Sequence, residues 1–333
     1  MSAEKCENNK VIDVQKIVVT GGKGGTGKSL IATNLAYLFQ MSGKKVLLVD
    51  ADVENPNIEL LLGTNAEHSE TIQRMNSPVT IFQPIFDPQK CIKCGFCRDK
   101  CYKHAILQFN SSLPEIMEHL CSGCTTCIRI CPENAILKGE RKIGKINFIK
   151  NYTERIDLLI GELIPQEAMS IAVISALLKK IKELSQQNNY DIVIIDSSPG
   201  AHCDVEMLLE HADLPLCVTE PTSFGEHDLF RILELIKIVH QKSNLKKSAI
   251  IINRSTISDY KDPIIRLATQ FNAPIIGEIP LDPVVIENYA KGTPFVVDKR
   301  EFLAKNKLIN IFSKIQTILM EEKDHDAIRT LNC

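Results

Sequence analysis

The fold is decided by the stretch Gly21-Gly22-Lys23-Gly24-Gly25-Thr26-Gly27-Lys28-Ser29. The apolar run Ile17-Val18-Val19 precedes it and predicts a buried strand, and the amphipathic segment LIATNLAYLFQ follows it and predicts a helix. Strand, glycine loop and helix form a phosphate-binding unit, because glycines let backbone N–H groups converge at the positive end of the helix. We therefore expect nucleotide phosphates to contact the loop residues Gly22, Gly24, Gly25, Thr26 and Gly27. Lys28 should reach the β- and γ-phosphates, and the Ser29 hydroxyl should bind Mg2+.

The same glycines also fit a dinucleotide fingerprint, Gly22-x-Gly24-x-x-Gly27, with Asp50 closing the next strand. A G-x4-G-K-S loop between a strand and a helix is the more specific of the two patterns. A second apolar strand, Asp191–Ile195, is followed by Asp196, where a carboxylate can hold Mg2+ close to the phosphates. A dinucleotide site would not need that carboxylate, so the sequence favours ATP with Mg2+.

Strand candidates alternate with helical segments along most of the chain. They lie at Lys16–Thr20, Lys45–Val49, Asp191–Ile195, Leu216–Val218, Ala249–Ile252 and Ile275–Ile276. This alternation predicts an α/β fold with a doubly wound, mainly parallel sheet. Ligands of such sheets bind at the carboxyl ends of the strands, where Gly22, Asp50 and Asp196 fall.

Two near-copies of one cysteine pattern interrupt this alternation. They read Cys91-x2-Cys94-x2-Cys97-x3-Cys101 and Cys121-x2-Cys124-x2-Cys127-x3-Cys131. The spacing is typical of bacterial ferredoxins, in which the distant cysteine of each run ligates the cluster of the other run. It predicts one [4Fe-4S] cluster on Cys91, Cys94, Cys97 and Cys131, and a second on Cys121, Cys124, Cys127 and Cys101.

Other interpretations of the cysteines differ in how well they fit this spacing. Zinc is usually held by separated C-x2-C pairs, so it fits less well than iron–sulfur clusters but stays open. A purely structural role for the clusters stays open too. Disulfides are not expected, because the chain is long and begins MSAEKCENNK, without an apolar signal segment.

The position of the cysteines predicts the domain organisation. Prolines between Val79 and Pro88 break the alternation of strands and helices, and the pattern resumes around Gly144. We expect a discontinuous ATPase domain, residues 1–82 and 145–333. An inserted small α+β domain of the ferredoxin type should occupy residues 83–144.

Composition limits the classes of partner. The formal net charge of −2 over 333 residues gives no electrostatic basis for binding nucleic acid or an anionic membrane. No apolar run is long enough to span a bilayer. A helical stripe from Leu308 to Leu319 lacks a basic face, so we expect it to pack on the core. These features and the many thiols predict a cytoplasmic protein in a reducing compartment.

The loop Lys23-Gly24-Gly25-Thr26-Gly27-Lys28-Ser29 resembles the deviant P-loop of the MinD/Mrp/ParA ATPases and the nitrogenase iron protein. In that family the early lysine, here Lys23, reaches across a face-to-face homodimer to the partner's nucleotide. The resemblance therefore implies a catalytic role for Lys23, because added positive charge stabilises the phosphoryl group during transfer.

The resemblance extends to nearly the whole chain. Val49–Asn57 resembles the family's switch I, which implies that Asp50 faces Mg2+ and Asp52 orients the attacking water. The segment ending at Asn253 resembles the strand whose asparagine reads the adenine edge. The loop Gly277-Glu278-Ile279-Pro280-Leu281-Asp282 resembles the one beneath the base.

The nearest likeness is the MinD-superfamily group that carries an inserted ferredoxin domain. It implies a homodimer that binds and hydrolyses ATP, slowly without a partner, and gates electron transfer through two clusters to a partner protein. Two alternatives remain: a maturation factor or carrier that delivers clusters or metals to a client, and a MinD/ParA-like positioning ATPase with the clusters as sensors.

Overall fold

The computed structural model of the protein describes residues 14–63, 72–242 and 247–331, with side chains up to Glu321. Within these residues the strands are β1 Gln15–Thr20, β2 Val46–Ala51, β3 Gln73–Phe86, β4 Ile106–Leu107, β5 Glu115–Ile116, β6 Ile136–Lys150, β7 Ile156–Leu163, β8 Ile192–Ser197, β9 Leu214–Thr219, β10 Ala249–Asn253 and β11 Ile275–Ile279. One nine-stranded sheet has the order β11-β10-β9-β1-β8-β2-β7-β6-β3, and β4 pairs with β5 separately.

The helices are α1 Lys28–Met41, α2 Ile58–Leu61, α3 Phe96–Asp99, α4 Thr126–Ile130, α5 Ser170–Asn188, α6 Cys203–Leu209, α7 Ser223–Lys242, α8 Asp262–Gln270, α9 Pro283–Ala290 and α10 Leu303–Leu331. Helices α5 to α8 cover one face of the sheet, packing on residues such as Val18. Helices α1 and α10 cover the other face, packing on Ile17 and Val19. The central strands are therefore buried on both faces, as parallel strands require.

The mainly parallel α/β sheet predicted from the alternation is confirmed. Seven neighbouring strands, from β11 to β7, run parallel, and each of the six strand candidates overlaps one of them. The seventh, β7, was not predicted. It pairs in parallel with β2 and is the last parallel strand before an antiparallel region of the sheet.

That region is a long antiparallel ribbon formed by β3 and β6. Its pairing runs from Gln73 opposite Lys150 to Phe86 opposite Ile136, and β6 also pairs antiparallel with β7. Residues 82 and 144, where the sequence suggested domain boundaries, lie inside the paired strands of this ribbon. Residues 87–135, called the cysteine end below, connect the two strands where the ribbon ends.

The two cysteine runs adopt the same backbone conformation. Left-handed residues occur at the same three places in each run: Lys93, Gly95 and His104 in the first, and Gly123, Thr125 and Asn134 in the second. The short helices α3 and α4 also begin at equivalent places and pack together. Ile106 and Ile136, which follow the two runs, are buried in a small core between them.

The stripe near the C-terminus packs on the core, as expected. Leu308, Phe312, Ile315 and Leu319 are buried, and the Phe312 ring lies 4.8 Å from the Phe39 ring of α1. Across the residues that the structure describes, no helix has the length and apolar character needed to cross a membrane.

Candidate functional site

The glycine loop lies between β1 and α1 and contacts the end of β10. Gly25 and Gly27 have φ of 83° and 95°, a left-handed conformation that glycine adopts without strain. A Cβ added to Gly27 would lie 2.3 Å from Nδ2 of Asn253. That nitrogen donates to the carbonyl of Thr26 at 2.7 Å, so Asn253 holds the loop against β10.

A cavity of about 710 Å³ opens beside this loop. Nine of the predicted site residues line it: Gly24, Gly25, Gly27, Lys28, Ser29, Asp52, Asn253, Pro280 and Asp282. Its size suits a nucleotide, since ligand pockets usually measure about 300–1,000 Å³. Gly22, Lys23, Thr26, Asp50 and Asp196 are not among the lining residues. Gly22 packs instead on α7, where an added Cβ would lie 2.4 Å from the Asp228 backbone oxygen.

Lys28 is a buried cation at the start of α1. Its Nζ donates to the carbonyl of Lys23 at 3.1 Å. Burial lowers the pKa of Lys28, and the charges of Asp196 and Asp52 oppose that effect. An anionic phosphate in the cavity would therefore stabilise the charged form of this lysine.

Asp50 and Asp196 are register partners on the adjacent strands β2 and β8. Asp50 accepts backbone hydrogen bonds from Asn57 at 2.8 Å and Ile58 at 2.9 Å, which fold the start of α2 onto the end of β2. Burial raises the pKa of Asp50 to about 7, although these hydrogen bonds favour its charged form.

Asp196 is fully buried, and neither of its carboxylate oxygens has hydrogen-bond geometry with another described residue. Burial raises its pKa well above the ordinary value, and repulsion from Asp50 adds to the rise. The Ser29 hydroxyl and the charge of Lys28 oppose this rise only in part, and a divalent cation would supply further compensating charge to the two adjacent buried carboxylates. The residues Ser29, Asp50 and Asp196 therefore fit the Mg2+ site that the sequence predicts.

Asp52 and Lys23 are placed differently. Burial raises the pKa of Asp52, and the nearby Lys28 charge opposes the rise. Lys23 is exposed, and its Nζ lies 5.7 Å from the centre of the Phe224 ring. In the single chain Lys23 thus contacts an exposed aromatic side chain rather than the cavity.

The cavity lining also includes Arg254 and Asn57, for which the sequence predicted no role, and the predicted residue Asp282. Arg254 follows Asn253 with a left-handed φ of 49° and pairs with Glu220 at 2.6 Å. Asn57 lines the cavity, and its Oδ1 is buried without a hydrogen-bond partner among the described residues. Asp282 accepts a hydrogen bond from the N–H of Val284 at 2.9 Å and so caps α9. In the sequence, only its position next to Asn253 indicated that Arg254 lies at the site.

At the cysteine end, the eight cysteines divide between two cavities. The first cavity is lined by Cys91, Cys94, Cys97 and Cys131, together with apolar residues that include Phe86 and Ile136. The second cavity is lined by Cys101, Cys121, Cys124 and Cys127, together with Phe82 and Ile116. Each cavity therefore holds three cysteines of one run and the distant cysteine of the other.

Backbone N–H groups point at the distant sulfurs in both halves. The amide of Ala105 donates to Sγ of Cys101 at 3.3 Å, and that of Ala135 donates to Sγ of Cys131 at 3.2 Å. Such bonds stabilise thiolate ligands and tune clusters. Burial raises the pKa of Cys127 to about 11, so an unligated thiol there stays protonated.

The ten cysteines in the described part of the chain are all free thiols. Within that same part, no group of three or more His, Cys, Asp and Glu side chains is arranged to hold a single metal ion. A [4Fe-4S] cubane differs from a single ion because each of its four ligands binds a different iron. The four thiols of each cavity match that number of ligands. This donor set fits such a cluster in its chemistry.

Comparison with known proteins gives three findings on family and fold. The CobQ/CobB/MinD/ParA nucleotide binding domain family matches residues 17–295. An uncharacterized protein of Methanocaldococcus jannaschii is 32% identical over 284 residues, which cover 84% of this chain and 91% of that protein. The cell division ATPase MinD of Pyrococcus furiosus aligns with a TM-score of 0.54 at 20% identity, covering 91% of this chain and 99% of that one.

The name of a further relative refers to iron-sulfur clusters. An iron-sulfur cluster carrier protein of Rickettsia bellii is 26% identical over 288 residues, which cover 85% of this chain and 67% of that protein.

Proposed function

Since the chain belongs to the CobQ/CobB/MinD/ParA family of nucleotide-binding domains, we propose that it is a homodimeric ATPase that couples its nucleotide state to electron transfer. The electrons would pass through two [4Fe-4S] clusters to a partner protein. One observation carries the proposal: the strand that ends at the nucleotide cavity, β2, is joined through β7 and β6 to the ribbon that bears both cysteine cavities.

At the nucleotide cavity, the family's chemistry maps onto residues of this chain. Lys28 would neutralise the phosphates, and Asp52 would orient the attacking water. Mg2+ held by Ser29, Asp50 and Asp196 would supply charge stabilisation for phosphoryl transfer. Lys23 would leave the Phe224 ring and act on the partner subunit's nucleotide.

The base would bind on the other side of the cavity. Its edge would face Asn253, whose Nδ2 now donates to the carbonyl of Thr26. Pro280 and Asp282 line the same part of the cavity, and Asp282 is held in place because it caps α9. These residues give adenine a fixed, partly apolar platform.

At the cysteine end, residues 83–144 would form the inserted ferredoxin-type domain. When bound, each cluster would act as a one-electron carrier. Their ligands would be the cysteines of the first and second cavities, and the apolar lining would limit access of water. Cys94 and Cys124 are exposed, so each cavity has one ligand at the surface, where a partner can approach.

The test is anaerobic purification followed by counting of iron and sulfide, with EPR of the reduced protein in the presence and absence of Mg·ATP. We expect about eight irons per chain, four for each of two clusters, and a nucleotide-dependent change in the reduced spectrum or its midpoint potential. About one or two zinc ions without sulfide would overturn the proposal.

The second candidate is a carrier that delivers clusters to a client protein, as the name of the Rickettsia bellii relative suggests. Its exposed ligands, Cys94 and Cys124, would also suit transfer. Incubation with an apo-ferredoxin distinguishes the two. Retention of iron through the incubation favours electron transfer, whereas ATP-controlled loss of iron to the acceptor favours the carrier.

A further inference from the structure

A buried arginine joins the ribbon to one of the two cysteine runs. Arg141 lies on β6, and only 10% of its side chain is exposed. Its Nη1 forms an ion pair with Glu167, which follows β7 and is 14% exposed. Its Nη2 donates to the backbone carbonyl of Cys121 at 3.3 Å, and its Nε is buried without a partner among the described residues. The guanidinium fork thus spans the segment after β7 and the loop that opens the second cysteine run.

The two cysteine runs differ at this point. Cys121 opens the second run, and its loop also packs on β3, because a Cβ added to Gly123 would lie 3.1 Å from the Phe82 carbonyl oxygen. The opening cysteines of both runs make a similar local bond through their own N–H groups, Cys91 to the Asp87 carbonyl at 3.0 Å and Cys121 to the Glu118 carbonyl at 3.1 Å. Beyond this local bond, the opening loop of the second run also contacts β6 and β3.

Glu167 is connected by backbone bonds to the segment that carries Asp52. The N–H of Leu163 donates to the carbonyl of Val53 at 2.8 Å. The next N–H, that of Ile164, donates to Ile143 of β6 at 2.9 Å, and the N–H of Glu167 donates to the Ile164 carbonyl at 3.0 Å. These backbone hydrogen bonds therefore link the segment after β2 to Glu167.

We propose that Arg141 and Glu167 form a clamp through which the nucleotide site acts on the second cavity and not on the first. The clamp rests on the proposed function, because it requires clusters that respond to nucleotide. Arg141 is a positioning residue: it holds the carbonyl of Cys121 and so sets the orientation of that ligand loop. A displacement of Glu167 shifts the guanidinium, and with it the loop that bears Cys121, Cys124 and Cys127.

The proposal predicts an asymmetric response of the two clusters. We expect a nonhydrolysable ATP analogue with Mg2+ to shift the midpoint potential of one cluster and leave the other unchanged. Arg141→Met should abolish that shift while the iron content stays near that of the wild type. Glu167→Gln should reduce the shift, because the uncharged amide holds the guanidinium less firmly.

The matched control is Lys145→Met. Lys145 of β6 pairs with Glu162 of β7 at 2.8 Å, so it links the same two strands, but both side chains are about 40% exposed and neither contacts a cysteine loop. This variant should keep the nucleotide-dependent shift. The rate at which a chelator removes iron gives a second readout, and the analogue should alter that rate for half of the iron only.

The measurements are EPR-monitored redox titrations of the anaerobically purified full-length protein. If wild type shows the shift and both clamp variants keep it, the clamp is wrong and the proposed function stands. If wild type holds its clusters but neither responds to nucleotide, the coupling itself is wrong. If the Arg141→Met variant loses iron, the Glu167→Gln variant becomes the test of the clamp. A nucleotide-dependent shift of the midpoint potential that is unchanged in this variant would overturn the clamp.

Discussion

At the nucleotide cavity, the side chains come from segments far apart in the chain, among them Lys28, Asp52, Asn253 and Asp282. At the cysteine end, eight thiols come from the single stretch 91–131, and two copies of one local conformation place them. The first arrangement exists only when the whole sheet has formed. The second depends on a short segment and on the small core around Ile106 and Ile136.

This difference suggests that each region can lose its chemistry without the other. Buried charged groups lie at the nucleotide cavity, and the negative charges of Asp50 and Asp196 repel each other. The stability of the folded protein therefore depends on what binds there. The cysteine cavities have apolar walls and backbone donors aimed at sulfur, and they share no lining residue with the nucleotide cavity. Within the part of the chain that the structure describes, the ribbon and the clamp of Arg141 and Glu167 connect the two regions.

The largest effect is expected from Lys28→Ala. Lys28 is a buried cation that lines the nucleotide cavity, and loss of a preorganised charge of this kind should lower ATP hydrolysis at least about a hundredfold. The iron content should stay at about eight per chain if the regions are independent. Hydrolysis assays and iron analysis on the same preparation measure both quantities.

The control is Lys44→Ala, which removes an exposed lysine paired with Asp191 at 3.2 Å. Its hydrolysis rate should match that of the wild type. Loss of iron from the Lys28 variant would contradict the independence of the two regions.

An intermediate effect is expected at the cysteine end, where alanine variants test the exchange of ligands between the runs. Cys131 belongs to the second run but lines the first cavity. Cys131→Ala and Cys94→Ala should therefore lose the same cluster, halve the iron and leave the same EPR spectrum. Cys124→Ala should leave the other spectrum, and all three variants should bind ATP as the wild type does. A spectrum shared by the Cys131 and Cys124 variants would mean that each run binds its own cluster.

The sequence predicts the features that depend on local chemistry. The loop ending in Lys28 and Ser29, the carboxylates Asp50 and Asp196 at strand ends, and the spacing of the cysteines can each be recognised without tertiary contacts. The placement of Asp50 and Asp196 at one edge of the sheet also follows, because carboxyl ends of parallel strands meet there, but their direct pairing depends on the order of the strands, which the sequence did not predict.

The features that were missed depend on contacts between distant segments. Strand β7 is a short apolar run that periodicity cannot distinguish from other buried segments. The ribbon extends beyond the predicted boundaries because β3 and β6 stabilise each other, and neither shows its pairing alone. Arg141 resembles any charged residue of an exposed strand until the fold brings Glu167 and Cys121 to its two nitrogens.

The smallest effect, and the last difference between the two regions, concerns pH. Burial raises the pKa of Asp50 to about 7, above the ordinary value of 3.8 that it should have in the unfolded chain. The folded protein then binds this proton more tightly than the unfolded chain does. Its contribution to stability is complete below about pH 4 and is lost progressively as the pH rises from there to 7, with roughly 1 kcal/mol of the loss falling between pH 6 and pH 8 without Mg2+.

Thermal unfolding in metal-free buffer should therefore show a melting temperature that falls between pH 6 and pH 8. Mg·ADP should restore more stability at pH 8 than at pH 6, because the cation favours the charged carboxylates. Asp50→Asn should weaken both trends and leave the part that comes from the buried Asp196, whereas Asp191→Asn, which alters an exposed carboxylate, should leave them unchanged. Equal slopes for wild type and Asp50→Asn would show that another group controls the pH response.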